Sequence, residues 1–358
     1  MGPHWGFPPD RDAPFWVGCG VALEPGRHMR FDHLRRRELI TLLGGAAAWP
    51  LDARAQQPAM PVIGFLSALL QATTAPDTAT FRQSLAEAGY VEGRNLGIEY
   101  RFAEGQYDRL PTMASELLRR QVAVIVAMGT PAALAAKAAT ASLPIVFSVT
   151  EDPVKLGLVA SLNRPGGNAT GVSFLLSELG PKQLGLLREL VPAASRFGLL
   201  VNPNNENAKA ITSDLKAAAA TIGVEIGVVR ATNSREIEAA FAALVRDKVD
   251  ALVVATDPFF YSRRVQLATL ATRHALPTIY NLRAYAEAGG LMSYGTNITE
   301  AYRQVGVYTG HIVKGIKPAD LPVAQSTKFD FIINLPTARA LGLDVPPSLL
   351  ARADEVIE

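Results

Sequence analysis

Two short apolar runs with a helical segment between them constrain this chain most. Val122-Ala123-Val124-Ile125-Val126-Ala127 ends at Met128-Gly129-Thr130-Pro131. An Ala-rich helical stretch follows to about Thr140, then Pro144-Ile145-Val146-Phe147, ending at Ser148-Val149-Thr150-Glu151-Asp152-Pro153. Runs rich in β-branched residues without polar alternation read as strands buried on both faces of a parallel sheet, here as a βαβ unit. Such crossovers are right-handed, so both strand C-termini point to one sheet edge. Small ligands of open α/β sheets sit outside that edge. Here the edge carries hydroxyls and carboxylates, with no Gly-rich phosphate loop. The reading is a pocket that holds a small polar molecule without transforming it.

The same alternation continues along the chain. Strands are expected at 62–66, 96–101, 196–201, 224–229, 251–255 and 277–280, with helices between them. Asn233 or Ser234 is placed to cap a helix whose Ile237, Ala240, Phe241, Leu244 and Val245 repeat with a 3.6-residue period. Ser262 is expected to cap the next helix, and Ser177 an earlier one. Turn-rich or extended segments near 156–176 and 289–295 interrupt the rhythm and read as crossings between two α/β halves. The 358 residues suit about two domains at roughly 150 each.

Upstream of this body, residues 1–28 show no periodicity and read as unstructured or as an over-extended start. Residues 29–55 have the order of an export signal. A basic stretch with Arg36 and Arg37 precedes an apolar run through Trp49, then Ala53-Arg54-Ala55. The arginine pair fits the twin-arginine variant, cleavage is expected after Ala55, and the protein is expected in the periplasm. Cys19 is the only cysteine, so disulfides, zinc-thiolate sites and thiol catalysis are excluded for the body. Net charge is +2, which argues against a nucleic-acid-binding surface. His274 and His311 have no partner at metal spacing, and neither a G-x-S-x-G elbow nor a P-loop occurs. No catalytic residue, metal or cofactor is expected, and the chain is not read as an enzyme.

Seven local motifs, with the signal, resemble one family: PVIGFLS at 61–67, EAGYVEG at 87–93, DPV at 152–154, NRPGGN at 163–168, TGVS at 170–173, NPNN at 202–205 and GGLMSYG at 289–295. Together they resemble the solute-binding proteins of ABC importers, and within them the tryptophan- and tyrosine-binding group. The resemblance covers Arg35 to Glu358. It implies a type I periplasmic binding fold, with two doubly wound parallel-sheet lobes joined by three crossings. Residues 60–170 plus 296–325 would form the first lobe, and 171–293 plus 326–358 the second. It implies a small-molecule solute as ligand, and as partners an ABC permease with its ATPase subunits, contacted only peripherally at the membrane. The alternatives are a two-lobe ligand-sensing regulator, or a small doubly wound enzyme.

Within that frame an amino acid or related zwitterion is the expected ligand. Hydroxyls gather at first-lobe strand ends (Ser67, Thr130, Ser148, Thr150), suited to a carboxylate. Asp257 ends a second-lobe strand and is expected to meet an ammonium without supporting core packing. Asn202 follows another strand and could bond the ligand or its own turn. Tyr280 and Tyr294 could wall a side chain. Each has a plainer reading as a cap, turn or packing residue. Gly171, Ser173 and Gly295 are the expected hinge positions.

Overall fold

A computed structural model describes residues 60–326 and 328–358, with the side chains of Ser177 and Glu178 left out. The expected signal positions Arg36, Arg37, Ala53 and Ala55 lie outside the described residues.

The first sheet is built from β1 (Val62–Ser67), β2 (Gly97–Phe102), β3 (Val124–Met128), β4 (Ile145–Val149) and β5 (Ala169–Ser173). Between them run α1 (Ala75–Glu87), α2 (Leu110–Arg119) and α3 (Thr130–Ala139). The anticipated βαβ unit is present: β3 and β4 lie side by side and parallel, with Ile125 opposite Ile145 and Met128 opposite Ser148. The uninterrupted apolar runs have a direct cause in double-sided burial. Leu66, Ile125, Ala127 and Phe147 point into a core with Leu110, Ala114 and Leu117 of α2 and Ala132, Ala133 and Ala136 of α3. Their neighbours Ile63, Phe65, Val124 and Val126 point the other way, onto Phe81 and Leu85 of α1.

The second lobe follows in order. It contains α4 (Gly180–Leu190), β6 (Arg196–Val201), α5 (Ala208–Thr221), β7 (Glu225–Arg230), α6 (Ser234–Arg246), β8 (Ala251–Val254), α7 (Pro258–Ser262), α8 (Arg264–Arg273), β9 (Thr278–Tyr280), α9 (Arg283–Glu287) and β10 (Met292–Gly295). Asn233 caps α6 by accepting the Glu236 N–H at 3.0 Å, while Glu236 reaches back to the Thr232 N–H at 2.7 Å. This reciprocal arrangement satisfies donors at a helix start and is worth about 1 kcal/mol. The apolar face of α6 is buried through Ile237, Ala240, Phe241 and Leu244.

The chain then returns to the first lobe as α10 (Ile298–Val313), packed on α1 and the sheet, and as β11 (Ala324–Gln325). It ends in the second lobe with β12 (Asp330–Asn334), α11 (Leu335–Ala340), α12 (Pro347–Leu350) and β13 (Glu355–Ile357). The sheet orders are β11-β5-β4-β3-β1-β2 and β13-β12-β10-β9-β8-β6-β7. All neighbours are parallel except β10 and β12, which run antiparallel. Two doubly wound lobes joined by three crossings are therefore the architecture.

Four expectations need correction. The boundary placed at 170/171 falls inside β5, because Gly171, Val172 and Ser173 continue its pairing with Phe147, Ser148 and Val149 of β4. Gly171 is consequently no hinge. A Cβ there would lie 2.0 Å from the Phe147 carbonyl oxygen, so glycine is needed for close approach of two strands. Gly295 ends β10 at a crossing, but it too is fixed by proximity: its Cβ would lie 1.7 Å from the Asn281 carbonyl oxygen. Ser262 caps no helix. Asp257 caps α7 instead, in extended conformation with Pro258 at the first helical position. Ser173 does sit where two crossings meet, paired with Gln325 and accepting the Ser326 N–H at 3.0 Å.

Candidate functional site

The C-terminal ends of strands from both sheets face a common cleft with about 550 Å³ of empty space, open solvent at its mouth included. Its apolar wall comes from Leu69 after β1, Met128 ending β3, Phe174 and Leu176 in the first crossing, Leu282 after β9, and Ile298 starting α10. Polar residues share the lining. Ser148 and Thr150 come from the end of β4, Thr256 and Asp257 follow β8, and Asn281, Thr296 and Tyr302 complete the lining. Beside Ser148, α3 begins at Thr130 without a side-chain cap, leaving the positive end of a helix at the cleft.

The lobes touch along the segment 257–264. Tyr107, in a turn before α2, donates its hydroxyl to Asp257 Oδ2 at 2.9 Å and accepts the Phe259 N–H at 3.1 Å. Ser262 Oγ accepts the Leu70 N–H at 3.3 Å, and Tyr261 donates to Asp77 at 3.3 Å. Arg264 covers the Tyr261 ring at 4.9 Å and donates to the Thr73 carbonyl.

Asp257 lines the cleft, but both of its oxygens are engaged. Oδ1 accepts from Asn202 Nδ2 at 3.1 Å and from the Phe259 and Phe260 N–H groups at 2.9 and 3.3 Å. Oδ2 accepts from Asn205 Nδ2 at 3.0 Å as well as from Tyr107. Burial pushes this carboxyl up from its ordinary value, against the pull of those donors. The expectation that Asp257 supports little of the fold is thus corrected. It caps α7, ties down the 202–205 turn and holds the opposite lobe.

Glu151 is a second buried carboxylate, also pushed up by burial. It accepts from Thr130 Oγ1, and its backbone carbonyl accepts from Ser173 Oγ at 2.8 Å. In the sequence Glu151 reads only as one of the carboxylates at the sheet edge, which does not show this anchoring.

Of the eight expected ligand contacts, Ser148, Thr150 and Asp257 are brought together in the cleft. The others serve elsewhere. Ser67 is fully buried and accepts the Leu69 N–H at 3.1 Å. Thr130 is occupied by Glu151, and Asn202 by Asp257. Tyr280 is fully buried and stacked on Tyr285 with ring centroids 4.6 Å apart, so it walls no cleft. Tyr294 packs on Phe329 and Phe331.

Sequence reasoning passed over Asn281, Thr296 and Tyr302. Asn281 Oδ1, Thr296 Oγ1 and Tyr302 Oη are buried and have no hydrogen-bond partner among the described residues. The Asn281 amide nitrogen donates to Thr256 Oγ1 at 2.7 Å. The signal for Asn281 lay in the pleat. Successive strand residues face opposite sides, so with Tyr280 turned into the core, the next residue turns outward. Among the described residues, no group of three or more His, Cys, Asp or Glu is placed to hold a metal ion. No described helix is long and apolar enough to cross a membrane.

Comparison with known proteins adds three findings. A family model described as "ABC transporter substrate binding protein" matches residues 74–357. A tyrosine-binding protein of Clostridioides difficile (strain R20291) is 30% identical over 263 residues, which is 74% of this chain and 75% of that protein. Among solved structures, an ABC domain in complex with L-Trp from Streptococcus pneumonia is 28% identical with a TM-score of 0.74, covering 83% of this chain and 99% of its own. The ligand-free, open structure of a substrate-binding protein with adhesive properties from Clostridium difficile is 29% identical at the same coverage, but its TM-score is 0.59. The lower likeness to an open structure is consistent with the inter-lobe contacts seen here.

Proposed function

This chain belongs to the family of ABC transporter substrate-binding proteins, and from that premise we propose that its cleft captures an α-amino acid with a large apolar or aromatic side chain and delivers it to an ABC permease. The observation that carries the reading is the division of the cleft. Six apolar side chains form a wall, and Ser148 and Thr150 stand on one side beside the uncapped start of α3. A carboxylate fits the second region, where the Ser148 hydroxyl and the helix dipole favour negative charge. A side chain of phenylalanine to tryptophan size fits the wall, its burial contributing roughly 1.5–3 kcal/mol. The ligands named for the tyrosine-binding relative and the L-Trp complex support the same class.

Thermal-shift measurements with L-tryptophan, L-tyrosine, L-phenylalanine, L-leucine and D-glucose test this. A true ligand stabilises by RT ln(1 + [L]/Kd), about 2.7 kcal/mol at a hundredfold excess over Kd. Stabilisation by glucose and by none of the amino acids would overturn the reading. Delivery is tested by uptake of the labelled amino acid in cells lacking this chain, which should fall. Export by a cleaved twin-arginine signal predicts a periplasmic protein whose mass begins near Gln56, and retention of residues 1–55 there would defeat it.

A further inference from the structure

We propose that the ligand's ammonium is received by three neutral oxygens, Asn281 Oδ1, Thr296 Oγ1 and Tyr302 Oη, and that Asp257 supplies negative charge to the cleft without touching it. The proposal rests on the amino-acid reading above and adds the recognition chemistry to it. All three oxygens belong to residues lining the same cleft, and all three are buried without a partner among the described residues. Buried polar groups are nearly always paired, so three orphans around one cavity point to a bound group that completes them.

The fold brings them together. β9 and β10 are parallel neighbours, with Ser293 opposite Tyr280. Asn281 and Thr296 follow directly at those strand ends, where the backbones of Gly295 and Asn281 approach closely. Tyr302 comes from the first full turns of α10, which starts immediately after Thr296 and Asn297. It therefore reaches the cleft from the opposite lobe. The Asn281 amide nitrogen is committed to Thr256, which leaves its oxygen as acceptor only. A primary ammonium has three N–H donors and no acceptor, and each of the three oxygens can accept one. Asp257 is excluded as the direct partner because both of its oxygens already accept from five protein donors.

The chemical class follows. The site takes a primary ammonium and discriminates against α-hydroxy acids and N,N-dimethyl amino acids, which lack the three donors. A polar site rejects an analogue that leaves its buried groups unpaired far more strongly than an apolar pocket rejects a size change.

The test is calorimetry on the chain from Gln56, with whichever of L-tryptophan, L-tyrosine or L-phenylalanine binds best, and with its α-hydroxy and N,N-dimethyl analogues. The wild type should bind the analogues at least 100-fold more weakly. Tyr302→Phe and Thr296→Val should each weaken the amino acid about 10-fold while leaving the α-hydroxy acid within twofold. Thr296→Ser should restore wild-type behaviour. Melting curves confirm that each variant is folded, and the analogue series on the wild type stands without any variant. If neither these three nor L-leucine binds, the amino-acid reading fails. If one binds but its hydroxy acid binds equally well, or if the variants weaken both alike, this proposal is overturned and the reading above survives. Discrimination that disappears in Asp257→Asn but persists in Tyr302→Phe and Thr296→Val also overturns it.

Discussion

Removing one oxygen, in Tyr107→Phe, should open the cleft. The Tyr107 hydroxyl is the group through which the first lobe grips Asp257 and the Phe259 N–H of the second, at 2.9 and 3.1 Å. A hydrogen bond to a charged group contributes about 1.5–3 kcal/mol net. The lower part of that range applies, because the substitution orphans nothing. The Phe259 N–H keeps Asp257 Oδ1 at 2.9 Å, and Asp257 Oδ2 keeps Asn205 at 3.0 Å. A loss of about 1.5–2 kcal/mol changes the ratio of open to closed chains on the order of 10- to 30-fold. The bond exists only when the lobes meet, so the loss falls on closure. Where closure accompanies binding, apparent affinity for the amino acid drops by up to the same factor, most of it in the dissociation rate. Calorimetry gives the first number and stopped-flow fluorescence the second. Small-angle scattering of the ligand-free chain should show a larger radius of gyration than wild type. An unchanged Kd together with an unchanged radius would refute the idea that this contact holds the lobes together.

Asp257→Ala should act differently, by destabilising the second lobe itself. It strands the amides of Asn202 and Asn205 and uncaps α7, at about 1–3 kcal/mol per buried orphan and about 1 kcal/mol for the cap. A total of roughly 3–7 kcal/mol should appear in urea denaturation, and a loss below about 1 kcal/mol would show that these donors find other partners. Glu151→Gln should stabilise the chain at neutral pH. Burial holds the Glu151 carboxyl above its ordinary 4.5, so the folded chain binds this proton more tightly than the unfolded chain does. Stability therefore falls as pH rises from the ordinary value through the raised one, and is level beyond it. The variant lacks that loss, so its melting temperature should exceed wild type at pH 7, with the gain gone below about pH 4. A variant that melts lower at pH 7 would contradict this.

The strands and most helices were legible in the sequence because double-sided burial imposes unbroken apolar runs and amphipathic helices repeat every 3.6 residues. The βαβ unit and the capped α6 are examples. The edge hydroxyls Ser148 and Thr150 were legible for a related reason, since one lies in the last residues of β4 and the other directly follows it. Tyr280 was chosen where Asn281 faces the cleft, an error of one residue that in a strand is an error of one face. Asp257 was recognised as a cleft residue, but its employment was not. Its partners Tyr107, Asn202 and Asn205 lie 150, 55 and 52 residues away and converge only through the tertiary fold. Gly171 looked like a flexible joint, although the approach of Phe147 makes it a rigid one. The two-residue β11 and the terminal β13 are too short for any periodicity to announce them.

Neither lobe is continuous in the chain, and this bears on when each can fold. The first sheet lacks its β11 edge, and α1 lacks the helix that covers it, until residues 298–325 have been made. By then nearly all of the second lobe already exists, yet that lobe waits for β12 and β13, which come from residues 330–357. A growing chain that has reached Gly295 would therefore hold two unfinished sheets, each with apolar surface uncovered. Completion of both lobes waits on residues 298–357, so the interval before they are made is when this chain most needs protection from aggregation.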